Sequence, residues 1–231
     1  DNAGVTALEF ASQMGHMESV ELLLDNGADA NAHDDDGRTA LEYASQDGHT
    51  ESVKQLLENG ADVNASNDAG KTALTQASLH GRLDVASMLL EGGADVNAKL
   101  NDGRTALMAA SLHDHLDVAS MLLEKGADVN ASNDAGKTAL TQASYKGRSG
   151  VVELLLEKGA DVNAKLDDGR TALMKASLHG RAEAVKLLLE KGADANALDD
   201  EGVSALEYAS EEGHTEVVEL LLEKGADMKG R

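Results

Sequence analysis

The chain of 231 residues carries 20 basic against 42 acidic side chains, a formal charge of −22, and no cysteine. That balance excludes the basic footprint that a nucleic-acid backbone or an anionic membrane surface requires, and the missing cysteines exclude a disulfide framework, a thiol nucleophile and a cysteine metal site. With 42% hydrophobic but only 2% aromatic residues, the core it can build is aliphatic and made of small side chains.

Read from the N-terminus, Asp1-Asn2-Ala3-Gly4 is neither a signal peptide nor a basic targeting segment. No window approaches the ~18 consecutive apolar residues of a membrane span. A tract of the form Gly-x-Thr-Ala-Leu then recurs every 33 residues, with its threonine at Thr6, Thr39, Thr72, Thr105, Thr138 and Thr171, and Ser204 as the seventh. The repeats run 1–33, 34–66, 67–99, 100–132, 133–165, 166–198 and 199–231. A period in this range belongs to arrays in which each repeat buries its apolar side only against its neighbours. With no proline in the chain there is no proline-rich linker, and 1–231 reads as a single domain.

The sixth repeat shows the local logic. Asp167-Asp168-Gly169 is a turn, and Thr171 follows as an N-cap whose hydroxyl meets an orphan amide of the first helical turn. Leu173, Ala176 and Ser177 form a narrow inward face, and Gly180 ends this short helix. A second helix places Ala184, Val185, Leu188 and Leu189 inward at helical spacing, and Gly192 closes it. Gly-Ala-Asp-Ala-Asn-Ala then leads to the next turn. The last repeat is polar outside, with Glu211-Glu212, as a terminal cap needs; the first is less so, because Phe10, Met14 and Met17 are apolar.

Gly-x-Thr-x-Leu, Ala-Ser, Gly-His as in Gly48-His49, Val-x-x-Leu-Leu and Gly-Ala-Asp-Val-Asn-Ala together resemble the ankyrin repeat, across all seven repeats. The resemblance implies an all-α ankyrin-repeat solenoid of seven helix-turn-helix units with projecting β-turn or hairpin fingers, the first and last acting as caps. The chain departs from the family in one consistent way: where the family has Thr-Pro-Leu-His, it has Thr-Ala-Leu followed by Glu, Thr or Met. The resemblance also gives His16, His49, His115 and His214 a structural hydrogen-bonding role.

Several stretches imitate catalytic or ligand motifs and fail. Gly70-Lys71-Thr72 and Gly136-Lys137-Thr138 echo a phosphate-binding loop but have Ala65 and Ala131 where its first glycine belongs. Asp34-Asp35-Asp36-Gly37 lacks the closing glutamate of a calcium loop. His33 stands alone in a turn. His80, His113 and His179 share one helix position in different repeats, and packed helices ~8–10 Å apart hold such side chains too far apart to share a metal. Asn64-Ala65-Ser66 and Asn130-Ala131-Ser132 match a glycosylation pattern but read as repeat turns. No cofactor, metal or catalytic constellation is expected, and an enzyme has no positive support.

Variation between the repeats concentrates in the turns and at the outer side and C-terminal end of the first helix. In ankyrin relatives those zones form the concave binding surface, and the resemblance implies the same here. The residue after the turn glycine gives a cationic stripe, Arg38, Lys71, Arg104, Lys137 and Arg170, inboard of acidic turn tips. It either pairs locally with those tips or faces a partner. The first-helix ends are apolar in the central repeats: Leu79-His80, Leu112-His113, Tyr145-Lys146 and Leu178-His179. Leu100 and Leu166 open two turns where other repeats have Asp or Asn, either packing on a neighbouring turn or forming an exposed apolar patch. The function expected is non-catalytic recognition of a protein with a basic or mixed-charge surface, by a monomer, with neither nucleic acid nor membrane as partner. Residues 66–78 repeat identically as 132–144, and 83–91 as 116–124, which points to assembly from a few modules and to an engineered binding scaffold. A partnerless scaffold and a natural adaptor are the alternatives.

Overall fold

The computed structural model describes residues 4–227, and among them every regular element is an α-helix. Their contacts divide the chain into two compact bodies, an N-terminal one of residues 1–110 and 117–127 and a C-terminal one of residues 111–116 and 128–231. The N-terminal body contains α1 (Ala7–Met14), α2 (Met17–Asp25), α3 (Ala40–Asp47), α4 (Thr50–Glu58), α5 (Ala73–Leu79) and α6 (Leu83–Glu91). The helices α7 (Ala106–His113) and α8 (Leu116–Glu124) fall where the two bodies divide. The C-terminal body contains α9 (Ala139–Lys146), α10 (Ser149–Glu157), α11 (Ala172–Leu178), α12 (Ala182–Glu190), α13 (Ala205–Glu211) and α14 (Thr215–Glu223). Within each body the first helices of successive repeats pack in one row, α1 on α3 on α5 and α9 on α11 on α13. The second helices pack in another, α2 on α4 on α6 and α10 on α12 on α14.

Each first helix starts where the threonine pattern puts it. The Thr39 hydroxyl accepts from the Glu42 amide at 3.3 Å, Thr138 from Thr141 at 3.3 Å and Ser204 from Glu207 at 3.2 Å. Alanine stands at the family's proline position, and the side chain at its histidine position closes the cap from the other direction. The Thr6 amide donates to Glu9 at 2.8 Å, Thr72 to the Thr75 hydroxyl at 2.8 Å and Ser204 to Glu207 at 2.7 Å. These reciprocal caps satisfy two orphan amides at once. The inward faces are as the spacing predicts: Leu173, Ala176 and Ser177 in α11, and Ala184, Val185, Leu188 and Leu189 in α12, are all buried.

Two devices join one repeat to the next. On the loop side, the asparagine of Asp-x-Asn reaches across the repeat boundary with both ends of its amide. Asn163 donates from Nδ2 to the Gly192 carbonyl at 3.3 Å and accepts at Oδ1 from the Asp194 amide at 2.9 Å. Asn31, Asn64, Asn130 and Asn196 repeat the pair. The amides of both sequon-like tracts are therefore engaged within the protein. On the finger side, successive turns join by backbone bonds, Asp68 N to Asp36 O at 3.1 Å in the N-terminal body and Asp200 N to Asp168 O at 3.2 Å in the C-terminal body. Gly136 shows why the turn glycine is fixed. Its φ of +70° is left-handed, and a Cβ there would come within 2.9 Å of Leu166 Cα. The fingers are closed by single antiparallel bridges, such as His33 to Thr39 and Leu198 to Ser204.

A third column is less comfortable. Ser12, Ser45, Ser78, Ser111, Ser144 and Ser177 are each fully buried, and their hydroxyls have no hydrogen-bond partner among the described residues. In the last repeat the equivalent Ser210 instead donates to the Leu206 carbonyl at 2.7 Å. A buried hydroxyl without a partner costs about 1–3 kcal/mol, so Ser78→Ala should raise stability by about 1 kcal/mol. Asn163→Ala should lower it by about 1–2 kcal/mol, because two bonds between repeats disappear together. Urea unfolding of the two variants beside the parent checks both signs.

Candidate functional site

The position that opens each finger decides the chemistry of the finger side. Where it is Asp or Asn, its side chain accepts two amides of its own turn. Asp34 accepts from Asp36 and Arg38 at 3.0 and 2.9 Å, and Asn67 from Ala69 and Lys71 at 3.0 and 3.1 Å. Where it is Leu, the cap moves two residues on: Arg104 N donates to Asp102 at 3.2 Å, and Arg170 N to Asp168 at 3.1 Å. Leu100 and Leu166 therefore leave the turn with one side-chain-capped amide instead of two. Neither is a tip residue. Each donates its amide back across the finger, to the carbonyl of Arg104 and of Arg170 at 2.8 and 2.9 Å. Leu166 is 6% exposed and Leu100 half-buried, so the packed alternative holds for Leu166, and an exposed leucine patch is not formed there.

Asp34 and Asp199 carry a second load. The Tyr43 hydroxyl donates to Asp34 at 2.6 Å, and the Tyr208 hydroxyl donates to Asp199. Burial opposes ionisation of both carboxyls. For Asp199 the Tyr208 hydroxyl, the Val203 and Glu201 amides and Arg170 outweigh it, and for Asp34 the Tyr43 hydroxyl, two turn amides and Arg38 do so, which holds both below the usual carboxylate range. Burial and the same carboxylates push Tyr43 and Tyr208 up to about 12. Glu42 moves the other way. It is 2% exposed, and burial raises its pKa although Gln76 and Asn67 of the next repeat donate to it at 2.8 and 2.7 Å.

The cationic stripe splits into paired and unpaired members. Arg38 donates to Gln46 at 2.8 Å and lies 4.1 Å over the Tyr43 ring. Arg104 pairs with Asp102 at 2.7 Å. Arg170 stands 3.4 Å from Asp199 and 3.7 Å from Asp168, and 5.0 Å over Tyr208. Among the described residues neither Lys71 nor Lys137 makes an ion pair.

Each body has a groove between its fingers and its first helices. In the N-terminal body it encloses about 450 Å³, with Asp36, Arg38, Asn67, Asp68, Ala69 and Lys71 from the fingers and Gln46, Gln76, Leu79 and His80 from the helix side. In the C-terminal body it encloses about 270 Å³ lined by Lys137, Thr141, Gln142, Tyr145, Leu166 and Lys175. Of the expected residues, Arg38, Lys71, Leu79 and His80 meet in the first groove, and Lys137, Tyr145 and Leu166 in the second.

The rest of the expected set lies outside these grooves. His113 is exposed and stacks on His115 at 6.2 Å, and Leu112 is half-buried. Lys146 sits 4.9 Å over the Tyr145 ring, whose edge-on partner is His179 at 4.6 Å. Leu178 offers its carbonyl to His214 Nε2 at 3.2 Å, as Gln13 does to His49 at 3.0 Å. Two of the four Gly-His histidines thus tie one repeat to the last, and Arg82 and Arg181 do the same at that position through Nε, at 3.1 and 3.3 Å.

Lys175, Gln142, Gln76 and Gln46 were missed as groove residues. Three of them belong to one column of the first helix, Phe10, Tyr43, Gln76, Ala109, Gln142, Lys175 and Tyr208, whose near-total variation was the available signal. Phe10 and Met14, one helical turn apart in α1, are 56% and 49% exposed. Among the described residues no three His, Asp or Glu side chains gather as metal ligands.

Because Asp199 is held below its ordinary pKa, its contribution is present at neutral pH and is lost as the pH falls through the folded-state value. Asp199→Asn keeps the turn amides capped, as Asn133 does. It should cost about 1–2 kcal/mol at pH 7, with the gap to the parent closing below about pH 4. Thermal melts of the pair across that range check the sign.

An ankyrin-repeat profile matches residues 8–100, 98–166 and 161–231 in three successive copies. No curated protein matches the sequence. Among solved structures, the human ASB11 ankyrin repeat domain superposes with a TM-score of 0.87 at 27% identity, over 96% of this chain and 99% of that one. The ankyrin repeat domain of Bcl-3, described as a unique member of the IkappaB protein family, gives 0.81 at 29% identity, over 95% and 99%. Domains of this kind are in general non-enzymatic and mediate interactions between proteins. With stacked helix pairs, bridged fingers and a profile match from residue 8 to residue 231, the chain belongs to the ankyrin-repeat family.

Proposed function

We propose that the seven repeats act as one non-catalytic recognition array, with the first and last as caps, and that the partner is a protein of mixed surface charge. The observation that carries this reading is the pair of open finger grooves. Repeat-specific side chains converge there, while the asparagine bridges that hold the array lie elsewhere and the backbone bridges between fingers use no side chain. Acidic tips such as Asp35, Asp68, Asp134 and Asp167 meet cations of the partner, and the unpaired Lys71 and Lys137 meet its carboxylates. The surface is pre-stacked, so docking orders few groups and loses little entropy. The sequence-selected residues Arg38, Lys71, Leu79, His80, Lys137 and Tyr145 form its working part, with Leu100, Arg104, Leu112, His113, Lys146, Leu166, Arg170, Leu178 and His179 supporting or flanking them. The identical tracts 66–78 and 132–144, in repeats that otherwise resemble each other, support an engineered binding scaffold as the origin.

Capture from a protein lysate at near-physiological salt, with the parent beside separate Lys71→Glu and Lys137→Glu variants, tests the function. A partner held by the parent and weakened about tenfold or more by either reversal is the expected result. A partner held equally by all three would move the site off the fingers. Capture of nothing by the parent would favour the partnerless scaffold.

A further inference from the structure

The two grooves are not equivalent. The N-terminal one is wide and polar. The C-terminal one encloses about 270 Å³, below the ~300–1,000 Å³ of pockets that take whole small molecules, and fits a side chain or two. Leu166 lines it and is almost wholly buried; the Tyr145 ring stands beside it, 37% exposed and held between His179 and Lys146. An aromatic wall already held in place loses little freedom when something docks on it.

The polar part of the same groove is positively charged in a protein of net charge −22. Lys137 has no ion pair among the described residues. The Lys175 ammonium, with 18% of its side chain exposed, has only Asp168 at 3.7 Å, and Asp168 is shared with Arg170 at the same distance. Burial lowers the Lys175 pKa, Arg170 and Lys137 lower it further, and Asp168 only partly opposes them. The site therefore lacks a negative charge. Thr141 cannot supply a ligand contact, because its hydroxyl is engaged with the Thr138 backbone at 2.9 Å. The Gln142 amide has no partner among the described residues and remains available to a docking backbone. In the N-terminal groove the position of Lys175 is occupied by Gln76, and of that groove's two cations, Arg38 and Lys71, Arg38 already stands 3.6 Å from Glu42.

We propose that this groove seats a segment of a partner protein in which an apolar side chain lies next to a carboxylate, the apolar group against Leu166 and Tyr145 and the carboxylate between Lys137 and Lys175. The inference rests on the protein-recognition reading and specifies the chemistry that one part of the array selects.

The test uses the full chain, nitrogen-15 labelled, and capped hexapeptides of Gly and Ser around a central Leu-Glu, Leu-Gln or Ser-Glu pair, titrated to millimolar concentration. The Leu-Glu peptide should shift the resonances of Gln142, Tyr145 and Leu166, with the other two weaker by about fivefold or more. Lys137→Gln should weaken the Leu-Glu peptide to a similar extent with an unchanged melting transition, whereas Lys71→Gln, in the other body, should leave it unaltered. The inference is overturned if the Leu-Glu peptide shifts nothing in the groove, if Leu-Gln does as well, or if inorganic phosphate alone gives the same shifts. A lysate partner lost on Lys71→Glu but indifferent to Lys137 would overturn it too, while leaving recognition by the array intact.

Discussion

Everything on the finger side depends on a bond made on the opposite side. The asparagine that closes each loop holds the next repeat at two points, one carbonyl and one amide, so spacing and rotation are set together by a single short side chain. A two-point planar contact resists shear in a way that aliphatic packing alone does not, because leucine against leucine tolerates sliding. With register fixed there, the fingers and first-helix ends add bonds to backbone atoms of one another, which do not depend on which side chains the fingers carry. They are free to differ from repeat to repeat, and they do.

That freedom is bounded by the turn. Its glycine lies against the backbone of the following finger, so diversity is confined to the residues before and after it. Within that limit the chain uses three chemistries at the finger-opening position. Asp accepts the turn amides and a tyrosine hydroxyl; Asn accepts the turn amides and, as Asn67, donates to Glu42 of the preceding repeat; Leu passes the capping task to an aspartate two residues on. The exchange of Leu100 with Asp102, and of Leu166 with Asp168, keeps the finger intact while turning its base from polar to apolar. The C-terminal groove follows from that exchange.

The helices, their caps and their inward faces were legible in the sequence because they follow from local rules: a hydroxyl before a helix, a glycine after it, apolar residues at helical spacing. Thr171, Gly180 and Val185 each do what their neighbours in sequence dictate. The bridging role of Asn163 was not legible, since its partners lie 29 and 31 residues away and only stacking brings them within reach. The candidate site was half legible. Internal variation led to Lys71, Lys137, Tyr145 and His80, but it could not say that Arg104 is taken up by Asp102, nor that Leu166 faces inward. Lys175 was hidden by position rather than by type: a lysine in mid-helix reads as a solvated face until the neighbouring finger is seen to cover it.

The protein has no tryptophan and only three tyrosines, and the fold assigns those three to different environments. Tyr43 and Tyr208 are buried donors to carboxylates, one in each body, and Tyr145 stands at the wall of a groove. The tyrosine part of the near-ultraviolet spectrum therefore has three separate sources: two internal rings that sense the integrity of the bodies they sit in, and one at the wall of a groove. Such a chain carries its own optical labels, already sorted into core and groove environments without any added dye.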